Sequence, residues 1–157
     1  MDTLIELLAG LAIAANAVVY GTDVFGAIVL RPAIAAVDDR TLTQLLGHVH
    51  RIADRRFPAI GAVGLVAAVA MTVLAGATGR GVSAAAGAVA TVALVVFLVL
   101  YGRVSKPVNT SLTAAALADH VPDDARALQA RWDSVIDARV VLQTLALVAL
   151  CVGLATA

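Results

Sequence analysis

The chain has 157 residues, of which 61% are hydrophobic and 14% are charged, and its mean hydropathy is +0.95. A soluble domain is nearer half apolar and a quarter charged, so this composition predicts an integral membrane protein with a single domain over residues 1–157. The zero net charge and the aromatic content of 4% argue against nucleic-acid binding, and a single cysteine excludes both an internal disulfide and a thiolate metal cluster.

The first predicted membrane span covers residues 4–30 and ends at Arg31-Pro32. It is longer than the ~20 residues that a helix needs to cross a bilayer, so we expect it to tilt or protrude. No lysine or arginine precedes Arg31, whereas a signal peptide begins with basic residues. The span is therefore expected to be retained.

Three polar side chains share one face of this span. Asn16, Tyr20 and Asp23 are separated by four and three residues, which is the spacing of neighbours on a helix surface. An amide and a carboxylate are costly in lipid, so they are predicted to face the interior of the bundle. In the alternative, Asp23 lies at the headgroup level and only pairs with an arginine.

Residues 38–56 carry a polar amphipathic pattern that predicts a helix lying at the membrane interface, and residues 57–77 form the second predicted span. His50 and Asp54 are four residues apart and can pair on such a helix, which would orient the imidazole. His48 points elsewhere, because residues two apart on a helix diverge. The alternative is that both histidines are ordinary surface residues.

A short turn at residues 78–81 predicts an antiparallel hairpin between the second span and the third, over residues 82–101. Pro107 predicts a break or kink after the third span. The fourth predicted span covers residues 140–157. Alanine and glycine are frequent in the middle spans and favour close helix packing, either within the bundle or between copies of the chain in a homo-oligomer.

The charged stretch before the fourth span contains the densest candidate chemistry. We predict one uninterrupted helix over residues 127–149, with Asp137 in a neighbouring row of side chains. Four residues share one face of it, at spacings of four, three and four: Trp132, Ile136, Arg139 and Gln143. An arginine and a glutamine at the mouth of a membrane helix must reach water, find partners or line a cavity.

The basic residues are distributed asymmetrically along the chain. The connections between spans one and two and between spans three and four hold five each, and the turn after span two holds only Arg80. The positive-inside rule then places both long connections in the cytoplasm and both termini outside the cell's inner (plasma) membrane. The predicted fold is an all-α membrane four-helix bundle with short interfacial helices and a ligand pocket on the cytoplasmic side.

The sequence as a whole resembles the anthrone oxygenase-like family of small four-helix membrane proteins. The resemblance is carried by YGTDVFGAIVLRP at the end of span one, VSKPVNTSL after span three and RWDSVIDAR at the start of span four. Family members have Trp, then Asn four residues on, then Arg seven residues on; Trp132 and Arg139 match, and Ile136 departs from the pattern. Asp137 stands where many members have His, and Asn109 matches the asparagine after the third span.

This resemblance implies oxidation of a lipophilic aromatic or polyketide-like substrate, an anthrone in characterised members, by O₂. Deprotonation of such a substrate needs a base, a cation near the oxyanion and an apolar pocket. Arg139 is the predicted cation, and the candidate bases are Asp137, His50 and Asp23. The predicted substrate-binding residues are Trp132, Tyr20, Asn109, Asn16 and Gln143.

No motif for a nucleotide or flavin cofactor is present. If a metal or haem is bound, the candidate ligands are His48, His50 and His120, and imidazole with carboxylate suits iron or copper. The alternative function is a non-enzymatic protein, either a membrane ligand binder or an accessory subunit. Arg139 would then pair with Asp23 or Asp137 and lock the bundle.

Overall fold

The computed structural model describes residues 2–157, which form helices joined by short turns, with no β-strand in this part of the chain. Four stretches are long and apolar enough to cross a membrane: Asp2–Ala35, Asp39–Ala77, Gly81–Leu117 and Ala125–Ala155. The predicted all-α class with four membrane-length helices is therefore confirmed for the described residues.

These stretches contain seven α-helical segments within residues 2–157. They are α1 (Asp2–Phe25), α2 (Arg31–Ala35), α3 (Asp39–Ala77), α4 (Gly81–Leu100), α5 (Lys106–Leu117), α6 (Ala125–Asp133) and α7 (Ile136–Ala155). Two π-helical turns join some of them. The first π-turn (Gly26–Leu30) connects α1 to α2, and the second π-turn (Tyr101–Ser105) connects α4 to α5.

The sequence predicted that the first span ends at Arg31-Pro32 and that Pro107 breaks or kinks the chain; in the structure a π-turn interrupts the α-helix before each proline, and helix resumes across the proline. A proline has no N–H to donate, and its ring crowds the carbonyl four residues earlier. A π-turn precedes each proline, and in each the residue before the proline donates its N–H to the fifth residue back: Arg31 to Gly26 and Lys106 to Tyr101. This wider turn changes the local hydrogen-bond register and lets the chain continue as helix.

The predicted interfacial helix over residues 38–56 and the span over residues 57–77 form one helix, α3, with Pro58 in its interior. Asp38 caps its start, since its Oδ1 accepts a hydrogen bond of 2.7 Å from the Thr41 N–H. The same hydrogen bond holds the pKa of Asp38 below its usual value. At 1.5 Å per residue, α3 is ~58 Å long, nearly twice the ~30 Å of a bilayer's hydrocarbon core.

The helix predicted without interruption over residues 127–149 is broken at residues 134 and 135, between α6 and α7. There the Val135 N–H bonds the Trp132 carbonyl, three residues back, at 3.4 Å, and the Ser134 hydroxyl bonds the Arg131 carbonyl at 2.7 Å. From Arg139 on, the α-helical hydrogen bonds resume, since its N–H donates to the Val135 carbonyl, four residues back, at 2.9 Å. Serine hydroxyls compete for backbone carbonyls in this way, and the interruption is confined to one turn.

The described chain divides into two compact units. Unit 1 consists of residues 2–21, Ala59–Phe97 and Val141–Ala157, and unit 2 consists of Thr22–Pro58 and Leu98–Val140. Each unit contains a part of all four long helical stretches.

Unit 1 packs small residues in its interior and exposes apolar residues on its surface. Gly87 lies so close to Met71 and Thr72 that a Cβ at residue 87 would overlap the Thr72 side chain. Three charged residues occur in the sequence of this unit: Asp2, Glu6 and Arg80. Its buried core is mainly alanine with a few larger side chains: Ile5, Ala9, Ala12, Ala67, Ala68, Met71, Ala75, Ala90, Ala93, Leu94, Ala146, Ala149 and Leu150. Small residues inside and valine or leucine outside are typical of helices that pack in lipid.

Unit 2 has its own apolar core, and one arginine, Arg126, links three of its helices. The core consists of Ile34, Leu42, Leu46, Val108, Leu112 and Ala125. Arg126 on α6 donates from Nε to Asp39 at 2.6 Å and from Nη1 to the Ile34 carbonyl at 3.0 Å, and it also bonds the Val37 carbonyl. One guanidinium thus bonds to two carbonyls at the end of α2 and to a carboxylate at the start of α3, which ties the two helices together.

Gly47 provides the closest approach between α3 and α5. A Cβ at residue 47 would overlap the Ala116 side chain and the Leu112 carbonyl oxygen. We therefore expect Gly47→Ala to lower the free energy of unfolding by about 1–3 kcal/mol, the usual cost of overpacking. Thermal unfolding in detergent measures this loss.

Gly61→Ala is the matched control on the same helix, because no atom lies within 4 Å of a Cβ at residue 61. Alanine there should leave stability unchanged or raise it slightly through helix propensity. Equal stability of the two variants would contradict the close packing of α3 on α5.

Candidate functional site in unit 2

A buried ion pair joins Arg139 on α7 to Asp23 on α1. Arg139 Nε donates to Asp23 Oδ2 at 3.1 Å, and Nη2 donates to Asp23 Oδ1 at 2.6 Å, so the pair is bidentate. Nη1 donates to the hydroxyl of Ser105, the last residue of the second π-turn, at 2.7 Å. The side chains of Arg139 and Asp23 are only 7% and 5% exposed. Of the two partners left open by the sequence, Arg139 binds Asp23.

Two aromatic rings lie against this guanidinium. Its Cζ is 5.3 Å from the centre of the Trp132 ring and 6.0 Å from that of Tyr101, within the range of cation–π attraction. The Trp132 ring also lies next to the His50 ring, with 5.9 Å between centroids and 33° between planes. A Cβ at residue 26, in the first π-turn, would lie 3.5 Å from Cη2 of the Trp132 ring. The site thus has an aromatic wall around a neutralised charge.

Asp54 is a second anchor in unit 2. Its Oδ1 accepts one hydrogen bond from the Tyr101 hydroxyl at 2.8 Å and another from Asn109 Nδ2 at 2.9 Å. Ser105 was not among the candidate site residues predicted from the sequence. The signal that could have identified it is spacing, because Tyr101, Ser105 and Asn109 are four residues apart, although the charged residues Arg103 and Lys106 lie between them.

Four buried side-chain polar atoms of unit 2 have no hydrogen-bond partner: His50 Nε2, Asn109 Oδ1, Gln129 Oε1 and Trp132 Nε1. The His50 and Asn109 side chains are almost wholly buried. Buried polar atoms are usually paired, and each unpaired one costs about 1–3 kcal/mol. Two of these atoms, His50 Nε2 and Trp132 Nε1, belong to the packed rings themselves, and Asn109 bonds to the same carboxylate as Tyr101. Unpaired polar atoms beside aromatic rings are the pattern expected of a site that hydrogen-bonds a ligand.

The remaining candidates in unit 2 lie elsewhere. Asp137 is largely exposed and pairs with Arg31, with 3.1 Å between Nη1 and Oδ2. His48 and His120 are exposed. Within residues 2–157, no group of three or more His, Cys, Asp or Glu side chains is arranged to hold a metal ion, so the structure does not assemble the predicted ligand set of His48, His50 and His120.

Asn16, Tyr20 and Gln143 belong to unit 1. Asn16 is buried, and its Nδ2 donates to the backbone carbonyl of Gln143 at 3.2 Å, which joins α1 to α7 within that unit. Tyr20 is half-buried. Asn16 thus has a structural partner in the membrane-length part of the helices.

Removing the guanidinium should destabilise the protein strongly. In Arg139→Met the Asp23 carboxylate stays buried without its main partner, and breaking a buried pair in this way costs about 3–5 kcal/mol. The double variant Asp23→Leu/Arg139→Met should recover most of that loss, because it leaves no unpaired charge. Thermal unfolding of both variants in detergent measures the difference.

Asp137→Asn is the control for this experiment. It removes the exposed partner of Arg31, and exposed pairs contribute at most about 1 kcal/mol. A single variant Arg139→Met as stable as Asp137→Asn would contradict the structural role of the Arg139–Asp23 pair.

Comparisons with known proteins add no relative. No protein-family model matches the chain, and neither a curated protein nor a solved structure is significantly similar to it. The resemblance to the anthrone oxygenase-like family therefore stays a prediction from the sequence motifs.

Proposed function

We propose that this chain is a multi-pass membrane protein that resembles the anthrone oxygenases and oxidises a lipophilic aromatic substrate with O₂ in unit 2. One observation carries the proposal. The polar atoms His50 Nε2, Trp132 Nε1 and Asn109 Oδ1 are buried without partners beside an ion pair that is covered by two aromatic rings. A purely structural core would gain by pairing these atoms or replacing them with apolar groups.

The membrane location is supported by the four long apolar helices and by the surface of unit 1. Valine and leucine side chains there are largely exposed, with Leu7 at 66% and Val66 at 67%, and such a surface favours contact with lipid. The proposed orientation in the plasma membrane follows the basic residues, with both long connections in the cytoplasm and both termini outside.

His50 is the proposed general base. Both oxygens of Asp23 accept hydrogen bonds from Arg139, and Asp137 is held by Arg31 at the surface. His50 Nε2, in contrast, has no partner and lies on the ring that faces Trp132. An imidazole nitrogen next to an aromatic wall can remove a proton from a ring-bound substrate.

The proposed reaction converts an activated ring CH₂ into a ketone. His50 takes one proton from that carbon, and the electron pair spreads onto the conjugated carbonyl oxygen, to which the Trp132 N–H is the available donor. O₂ adds to the carbon and the proton returns from His50, which gives a hydroperoxide. Loss of water then leaves the ketone, so that CH₂ and O₂ become C=O and H₂O.

A specific observation also favours the non-enzymatic alternative. Arg139 already bonds to Asp23 and Ser105, and such bonds hold α7 against α1 and the second π-turn without any ligand. In that case unit 2 would bind a lipophilic molecule without turning it over, or pack against a partner subunit. The two functions differ in whether loss of His50 changes oxygen uptake.

The proposed topology predicts which turns are accessible from outside. In a Cys151→Ser background, a cysteine introduced by Thr78→Cys should react with a membrane-impermeant maleimide in intact cells. A cysteine introduced by Ala118→Cys should react only after permeabilisation, because the connection between α5 and α6 is proposed to be cytoplasmic. The reverse pattern would contradict the orientation.

The catalytic proposal predicts that His50→Gln lowers the enzymatic rate of oxygen uptake with 1,8-dihydroxyanthrone by about 10²–10⁴-fold, the usual contribution of a general base. Purified protein in detergent is assayed with an oxygen electrode and by quinone absorbance, with spontaneous oxidation subtracted. His48→Gln is the matched control, since His48 is an exposed histidine on the same helix.

Equal rates for the two histidine variants would contradict the role of His50. No oxygen uptake above background by the native protein would contradict the oxidation of this substrate class and favour the non-enzymatic alternative.

A further inference from the structure

Asp54 controls which atom of Asn109 is offered to a ligand. Asp54 Oδ1 accepts hydrogen bonds from Tyr101 and from Asn109 Nδ2. A carboxylate only accepts, so it fixes the Asn109 amide with its NH₂ group turned toward residue 54. The other end of the amide, Oδ1, is then buried without a partner. Position 109 therefore presents a hydrogen-bond acceptor.

Trp132 presents the complementary group. The indole Nε1–H is a donor only, and here it is buried without a partner. Unit 2 thus offers a fixed donor at Trp132 and a fixed acceptor at Asn109. A hydroxyl group can bond to either of them, because its oxygen accepts and its hydrogen donates. A methyl ether can bond only to the donor.

We propose that Asp54 is a positioning residue that fixes Asn109 as an acceptor, and that unit 2 consequently binds hydroxylated aromatic molecules in preference to their methyl ethers. This inference rests on the proposed ligand site in unit 2, but it does not depend on catalysis of an oxidation. Binding and turnover are therefore tested separately.

Trp132 is the single tryptophan of the chain, so its fluorescence reports directly on the site. The probes are 4-octylphenol and 4-octylanisole, which differ only in the methyl group on oxygen and have the same alkyl chain for partition into the micelle. The full chain in detergent is titrated with each, with excitation at the red edge of the tryptophan absorption, where the probes do not absorb. We expect saturable binding of the phenol with at least about 10-fold higher affinity than the ether, as one hydrogen bond to a buried acceptor provides.

Asp54→Ala tests the positioning role. Without the carboxylate the Asn109 amide can turn either end toward the ligand, so the preference for the phenol should fall to nearly 1-fold. Asp54→Asn keeps an acceptor oxygen for Asn109 and should retain part of the preference. Asp119→Asn is the control, since Asp119 is an exposed carboxylate in unit 2 that accepts from the Gln44 amide at 3.2 Å.

Asn109→Leu tests the same claim if Asp54→Ala does not fold, because it removes the acceptor and should lower the affinity for the phenol to that for the ether. Equal affinity of the native protein for both probes would overturn the inference, whatever the oxygen-uptake assay shows. A preference that persists in Asp54→Ala or Asn109→Leu would also overturn it, since a merely structural Asp54 would weaken both ligands equally. Loss of oxygen uptake with an intact phenol preference would instead reject the proposed reaction alone.

Discussion

The structure of unit 2 depends on one constraint, the burial of two opposite charges on Arg139 and Asp23. Removing both charges from water costs several kcal/mol per ion, and attraction offsets this cost only when the geometry is good and the remaining hydrogen-bonding groups are satisfied. Here the pair is bidentate, Ser105 accepts the third hydrogen bond, and the Trp132 and Tyr101 rings cover the guanidinium. Since these residues come from α1, α6, α7 and the second π-turn, the pair is complete only when all four segments are in their final register.

The second π-turn explains how two residues eight positions apart reach the same carboxylate. In an α-helix, four residues rotate the chain about the helix axis by slightly more than one full turn. In a π-turn, four residues rotate it by slightly less than one full turn. Tyr101 to Ser105 is a step through the π-turn, and Ser105 to Asn109 is a step through α5. The shortfall of rotation in the π-turn offsets the excess in α5. Tyr101 and Asn109 therefore lie on the same face, and both donate to Asp54. In a continuous α-helix the deviations would add, and the two donors would diverge.

Spacing in the sequence predicted one shared face for Trp132 and Arg139, whereas the structure places them on α6 and α7, on either side of a break at residues 134 and 135. Spacing also does not indicate which faces of different helices meet. The all-α class and the four long apolar helices follow from composition and periodicity. The partner of Arg139 did not, because Asp23 and Asp137 are equally acidic and only the packing of α1 against α7 within unit 2 decides between them. The sequence also did not indicate that helix resumes after Pro32, or that residues 39–77 form one helix, and the reason is local. A π-turn accommodates a proline, and polar residues do not interrupt the hydrogen bonds of a helix such as α3.

Neutralisation of Arg139 also limits the chemistry that unit 2 can support. The sequence suggested this residue as the cation that stabilises an oxyanion, but Asp23 already balances its charge through two hydrogen bonds. Asp54 is a further carboxylate in the same neighbourhood, and its bonds to Tyr101 and Asn109 are to neutral donors. A permanently anionic ligand would therefore find no unbalanced cation at Arg139, whereas a neutral aromatic ligand needs none. An anion formed in the proposed reaction would depend on the Trp132 N–H and on the proton held by His50, because Arg139 is already engaged by Asp23 and Ser105.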